Sequence, residues 1–333
     1  MTAPHPILID TDPGIDDAMA LLFLRARPEV RIAAITTVFG NADVETTTRN
    51  AGYLAERFGI KVPVIAGAAR PLHIERLISP TQVHGVDGLG DVLTLPSVHQ
   101  SACKPTAAQS IVDAVHSMPH QLSLLALGPL TNLALALQLD PTIAGLVRRV
   151  VVMGGAFGWH GRRGNISPLA EANIRNDPHA ANLVLAANWP ITMVGLDVTE
   201  RCVISTEDAQ RLANHGGEAG RLLWDISRGY ETLYKQVDGL AGCCLHDVAA
   251  AACLVDPTLF MIRRGSIRVE MQGAAIGQTI MYPAVLADDS QPPEQQACYD
   301  VDVARLMNLY EQTIAAGPSR GRSDQPGIER AGE

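Results

Sequence analysis

The chain has 333 residues, of which 47% are hydrophobic and 18% charged, with a mean hydropathy of +0.10 and a formal net charge of −9. That balance describes a folded globular protein rather than a disordered chain, and its negative charge disfavours nucleic acid as the main partner. No run of about 18 apolar residues is present to span a membrane.

Six cysteines occur without any C-x-x-C pair, which fits a reduced protein of the cytoplasm. Met-Thr-Ala-Pro leads directly into the first apolar run, so no secretory signal is expected.

Ile7, Leu8 and Ile9 read as a buried strand, and the apolar stretch 18–24 reads as a helix packed on it. Further strands are predicted over 31–38, 62–66, 122–127, 150–153 and 191–194, with helices over 44–58, from Leu130 and over 248–255. The segment 266–282 is expected to add late strands at the sheet edge, and 300–314 a last helix. Strands alternating with helices imply βαβ crossovers, hence a single α/β domain with a mainly parallel, mixed-edge central sheet flanked by helices. That domain is expected to span 1–317, with a polar, disordered tail over 318–333.

Between the first strand and helix, Asp10-Thr11-Asp12-Pro13-Gly14-Ile15-Asp16-Asp17 sets four carboxylates within eight residues. Like charges so close repel unless a cation or strong donors sit among them. An Asp N-cap would use about one of these side chains, so capping does not account for the cluster. It lies at the carboxyl end of a strand, where open α/β sheets build their sites, and hard oxygen ligands favour Ca²⁺ or Mg²⁺ over zinc.

Other strand ends and loops gather polar groups. Asn41 follows the second strand, and His84 opens a glycine-rich segment, 84–90, that reads as a mobile loop lacking the order of a phosphate cradle. Asn165, Glu171 and Asn173 crowd one short stretch, where each Asn alone would read as a turn residue. Asp247, after His246, opens the apolar helix as either an N-cap or a ligand. Tyr230 and Tyr234 stand four apart, on one face of a predicted helix, either packed on the core or turned to a ligand.

The D-T-D-P-G-I-D-D motif, G-N at 40–41, L-G-P-L-T-N at 127–132, M-G-G at 153–155, the G-N…A-E-A-N run and the H-D pair together resemble the nucleoside hydrolases of the inosine–uridine-preferring type. The resemblance runs from Ile7 to Leu254 and extends weakly to the last helix. It implies the nucleoside hydrolase fold, with one Ca²⁺ at the pocket floor. It also implies cleavage of the N-glycosidic bond of ribonucleosides to ribose and a free purine or pyrimidine, as in nucleoside salvage. The partner is then a small ribonucleoside, and the assembly a homodimer or homotetramer.

By the same resemblance Asp12, Asp17, Asp247 and the backbone carbonyl of Leu127 hold the ion, which suits the vicinal ribose hydroxyls. A water deprotonated by Asp12 is the implied nucleophile, and an oxocarbenium-like ribosyl the implied transition state. Asp16 and Asn173 are then partners of the 2′ and 3′ hydroxyls, with Asn41 near the 2′ oxygen, while Asn165 and Glu171 serve the 5′ hydroxyl. Met153 lies under the ring, and His84 belongs to the loop over the 5′ end. His246, with a pKa near neutrality, would assist the departing base, and Tyr230 and Tyr234 would close over it. Ala172 departs from the pattern, since a Phe is common there, and puts base specificity in question; no account offers itself for Cys243-Cys244. Two alternatives are a related ribosyl hydrolase acting on a modified nucleoside and a non-catalytic metal-stabilised nucleoside-binding protein. An aspartyl phosphatase also begins D-x-D, but P-G-I-D-D and the absence of an obvious lysine-bearing phosphate site argue against it.

Overall fold

The first apolar run forms β1 (His5–Thr11), and its alternate side chains enter two different cores. Ile7 and Ile9 join a cluster with Leu21, Leu125 and Val151, whereas Leu8 joins Leu124, Val150 and Val152 on the opposite face. That two-sided burial is what a parallel sheet covered by helices on both faces requires. The computed structural model describes residues 3–93, 106–283 and 293–318.

The remaining strands are β2 (Val30–Thr37), β3 (Val64–Ala66), β4 (Ser123–Ala126), β5 (Arg149–Met153), β6 (Ile191–Val194), β7 (Val203–Ser205), β8 (Gly242–Cys244), β9 (Phe260–Val269), β10 (Thr279–Pro283) and β11 (Glu294–Val301). With β1, eight of them form one nine-stranded sheet in the order β10-β9-β11-β6-β5-β4-β1-β2-β3, while β7 and β8 make a separate antiparallel ribbon. Pairing is parallel from β3 through β11, and antiparallel where β9 meets β11 and β10. β1 connects to β2 on one side and lies beside β4 on the other, so the strand order reverses at β1/β4. A crevice opens at the carboxyl ends of strands at such a reversal.

The helix Ile15–Arg25 is buried along nearly its whole length and packs against the alanine-rich helix His246–Val255. Full burial of each of Leu21, Leu22, Phe23 and Leu24 contributes about 1.5–3 kcal/mol. Their packing fixes the first turn, which carries Asp16 and Asp17.

The late segment corrects the sequence expectation in two respects. The edge strands predicted within 266–282 are present as the second half of β9 and β10, but β11 inserts between β9 and β6. The last helix starts at Val303 rather than Asp300, because Asp300 and Val301 still pair with Met261 and Phe260. Of the tail expected to be disordered, 318–333, all but Pro318 lies outside the described residues. Among the described residues no helix is long and apolar enough to cross a membrane. Cys202, Cys243, Cys244, Cys253 and Cys298 are free and buried.

Candidate active site

The acidic motif lies at the β1/β4 reversal, and every carboxylate in it is buried. Asp10 Oδ1 accepts hydrogen bonds from Thr36 Oγ1 at 2.6 Å and Asn132 Nδ2 at 2.7 Å, while its Oδ2 is buried without a partner. Asp17 sits in the first turn of Ile15–Arg25 and accepts from Thr11 Oγ1, from the Gly14 N–H at 2.9 Å and from Asn41 Nδ2 at 3.0 Å. Asp12 Oδ2 accepts the Asn41 N–H at 2.8 Å, while its Oδ1 is buried with no partner. Backbone approaches Asp12 from both sides. A Cβ on Gly40 would fall 2.0 Å from Oδ2, and one on Gly128 would fall 2.6 Å from Oδ1, so only glycine fits at either position.

Asp247 was open to reading as a helix cap, and the structure excludes that role. Leu245 occupies the cap position of His246–Val255, and Asp247 lies inside the first turn. There its carboxyl lies beside that of Asp17. Asp16, Asp17 and Asp247 each place a carboxylate oxygen within 4.8 Å of the others. Burial, then the charge of Asp17, pushes Asp16 up to about 8; Asp12 is driven well above the usual carboxylate range by the same two causes. Burial, then Asp16, Asp17 and Asp12, raises Asp247 in the same way. No cationic side chain bonds the cluster among the described residues, and Asp16 Oδ1, like Asp12 Oδ1, has no partner. Buried anions in this arrangement call for a compensating charge. The oxygen-only donor set with two orphaned atoms fits a metal ion of the hard, divalent kind.

A cavity of about 200 Å³ opens above the cluster. Asp16, Asn41, Leu127, Met153, Asn173 and Asp247 are among its lining residues; Asn41, in turn, bonds both Asp12 and Asp17. Asn173 Nδ2 donates to the Leu127 carbonyl at 2.7 Å and to the Met153 carbonyl at 3.2 Å. Glu171 caps the short helix Ala172–Asn176, taking the N–H groups of Asn173, Ile174 and Gly155. Asn165 Oδ1 receives the Ala172 N–H at 3.0 Å. All three residues of this polar stretch line the cavity.

The opposite wall is aromatic. Tyr230 and Tyr234 project from the helix Gly217–Val237 with their hydroxyls 3.2 Å apart and their rings in a T-shaped pair. Tyr234 OH lies 2.6 Å from His246 Nε2, and Thr199 Oγ1 lies 2.7 Å from His246 Nδ1. The expectation of a near-neutral His246 is corrected here: burial, then Arg162, pushes it down to about 4, so the ring is neutral at pH 7. His84 is buried beside Tyr230, at 5.7 Å between rings, and its Nδ1 accepts the Ile15 N–H at 3.3 Å. The segment after it is a hydrogen-bonded turn rather than an open loop, held by Arg49 and Asn50 on the Asp87 carbonyl.

Sequence reading missed Thr199, Glu200, Asp238 and Arg162, of which the last three line the cavity. Thr199 and Glu200 follow the end of β6, a strand-end position that could have pointed to them; Arg162 and Asp238 carry no local signal.

A mostly parallel sheet ending at its own switch point in a buried carboxylate cluster able to hold a metal ion defines the chain as an α/β protein with an acidic metal-binding site. The sequence matches the family model of the inosine-uridine preferring nucleoside hydrolase over residues 7–308. It is 41% identical over 278 residues to uridine nucleosidase 1 of Arabidopsis thaliana, covering 83% of this chain and 81% of that protein. It is 37% identical to the inosine-uridine preferring nucleoside hydrolase of Leishmania major, over 84% of this chain and 88% of that one. Among solved structures a plant nucleoside hydrolase superposes with a TM-score of 0.88 at 34% identity, covering 94% of this chain and 99% of that one. The purine-preferring ribonucleoside hydrolase of Gardnerella vaginalis follows at 0.86 and 31% identity, covering 93% of this chain and 98% of that one.

The chain therefore belongs to the inosine–uridine preferring nucleoside hydrolase family, and is an enzyme that hydrolyses the N-glycosyl bond of ribonucleosides.

Proposed function

We propose that the enzyme takes uridine and inosine among its substrates and that Ca²⁺ is its ion, held by Asp12, Asp17, Asp247 and the carbonyl of Leu127. The observation that carries this reading is the buried group Asp16, Asp17 and Asp247, with carboxylate oxygens within 4.8 Å of one another, in a motif where Asp12 Oδ1 and Asp16 Oδ1, like Asp10 Oδ2, are buried without partners. Folded proteins leave such atoms bare chiefly where a ligand or ion completes them. When bound, the cation would supply the positive charge that keeps these carboxylates ionised and would orient the vicinal ribose hydroxyls.

Asp12 Oδ1 is the base: it takes one proton from the attacking water as the oxygen bonds to C1′ of the ribose. The C1′–N bond breaks with its electron pair leaving on the base. Asp16 and Asn173 hold the 2′ and 3′ hydroxyls, with Asn41 near the 2′ oxygen, and Asn165 and Glu171 hold the 5′ hydroxyl. Met153 sulfur faces the ring as positive charge develops. His84 supports the 5′ end from beside Tyr230. A neutral His246, oriented by Thr199 at Nδ1, exchanges its Tyr234 contact at Nε2 for a hydrogen bond to the base that strengthens as the base gains negative charge. Tyr230 backs Tyr234 in that wall. Free cysteines and a reduced interior support a cytoplasmic setting, and a homodimer or homotetramer belongs to the same proposal.

Release of ribose from inosine, adenosine, uridine and cytidine, with a chelator and then with added Ca²⁺, tests the reading. It requires turnover that the chelator abolishes and Ca²⁺ restores. Turnover insensitive to chelation would refute the metal assignment.

A further inference from the structure

We infer that Arg162 is a positioning residue for the leaving-base end of the site, clasping together the two elements that hold His246. This rests on the reading that His246 serves the departing base.

The two supports of His246 come from different parts of the fold. Thr199, on its Nδ1 side, belongs to the short helix Leu196–Thr199, and Glu200 follows it directly. Tyr234, on its Nε2 side, belongs to the last turn of Gly217–Val237, where the Asp238 N–H closes on the Tyr234 carbonyl at 2.9 Å. Arg162 spans the two: its Nε lies 2.8 Å from Glu200 Oε1, and its Nη1 lies 2.7 Å from Asp238 Oδ1. A single guanidinium thus fixes the distance between the carriers of both histidine partners. Each of the three side chains lines the cavity.

An ion pair in open solvent would order little, but this one is sheltered on its acidic side. The Glu200 and Asp238 side chains are each 21% exposed, and burial pushes Glu200 up to about 7 against the pull of Arg162. The segment that delivers Arg162 is itself anchored. Asp197, on the same helix as Thr199, accepts the N–H groups of Phe157 and Trp159 at 2.7 Å each. The two rings stack at 4.7 Å, and His160 Nε2 lies 2.8 Å from the Tyr299 carbonyl. Downstream, Asn165 is tied to Ala172. An arginine on an anchored arm, with a guanidinium fork divided between two carboxylates, is built to hold position. Lysine, a point charge on a flexible stem, cannot span both partners.

The test compares inosine with a nitrophenyl riboside, whose leaving group departs without protein help, in R162A, R162K, E200Q, H246A and the double variant R162A/H246A. Misplacing a positioned group by about 1 Å costs on the order of 100-fold. Loss of the clasp should therefore lower kcat for inosine about 10- to 100-fold while nitrophenyl riboside turnover stays within about two-fold. E200Q, which breaks the same bridge without touching the Arg162 segment, should move the ratio in the same direction, and R162K should recover only part of the loss. If Arg162 acts through His246, the double variant should be no slower on inosine than H246A alone. Equal losses on both substrates, or additive losses in the double variant, would overturn the inference. Wild-type ribose release from both substrates is read in the same assay. Its absence would sink the functional reading, whereas its presence with an unchanged ratio in R162A would sink only the role of Arg162.

Discussion

The Tyr234 hydroxyl lies 2.6 Å from Nε2 of His246, and Thr199 Oγ1 stands 2.7 Å from Nδ1 on the far side of the ring. Both ring nitrogens are therefore engaged before substrate arrives, and burial keeps the imidazole neutral. Thr199 fixes the ring through Nδ1, so exchanging Tyr234 for the base at Nε2 is the rearrangement needed to present a hydrogen bond as charge develops on the base.

Replacement of His246 by Ala should therefore discriminate between leaving groups. Inosine turnover is expected to fall by ~100-fold or more, the usual scale of a proton-donating group. A nitrophenyl riboside should be hydrolysed nearly as fast as by the wild type. Steady-state kinetics on the two substrates decides, and equal slowing of both would assign His246 to the ribose or to the fold.

Asp247 lies inside the first helical turn with Leu245 at the cap, so Asp247→Asn removes no capping bond. Thermal stability of the chelated protein should hold or rise, since a buried, repelled carboxyl is replaced by a neutral amide. Bound calcium, measured by elemental analysis after dialysis, should drop together with turnover. Undiminished calcium in the variant would remove Asp247 from the ligand set.

Cation removal should also show in the pH dependence of stability. Burial pushes Asp10 and Glu200 up to about 7 and Asp16 up to about 8. A carboxyl raised by the fold contributes stability while it is protonated, and loses it as pH rises through the folded value. His5, His84 and His246 are lowered to about 4, 3 and 4, so their opposing contribution, half present in the unfolded chain at about pH 6.5, fades by about 7.5 and is outnumbered by the raised carboxyls. Between pH 6.5 and 8 the Tm of the chelated enzyme should fall, and the gap to the Ca²⁺-loaded enzyme should widen. A chelated Tm that is flat or rising over that window would contradict the description of the cluster.

Much of this was legible in the sequence where local pattern and burial agree. An apolar triplet followed by four Asp residues marks β1 and the cluster, and apolar runs ending at glycine turns mark β4 and β5. β11 was not legible: Glu294, Gln295 and Gln296 carry no apolar alternation, and the strand exists through its pairing with β9 and β6. β7 and β8 are three residues each and are defined only by each other, which accounts for Cys243-Cys244 as buried ribbon residues. The Tyr230–Tyr234 spacing was visible, but not that Tyr234 turns back onto His246. The neutral state of His246 depends on burial and on Arg162, neither of which a local motif encodes. The bridge from Arg162 to Glu200 and Asp238 joins three distant segments, and only the folded chain brings them together.

The central claim is that Asp12 activates water for cleavage of the ribosyl bond, and Asp12→Ala tests it most directly. Ribose release from uridine and inosine by the variant should be measured at saturating Ca²⁺, with bound calcium and circular dichroism recorded on the same samples. The account predicts a native spectrum and a kcat lowered by at least ~100-fold on both substrates, given the usual worth of a general base. A folded variant that releases ribose at the wild-type rate would contradict it.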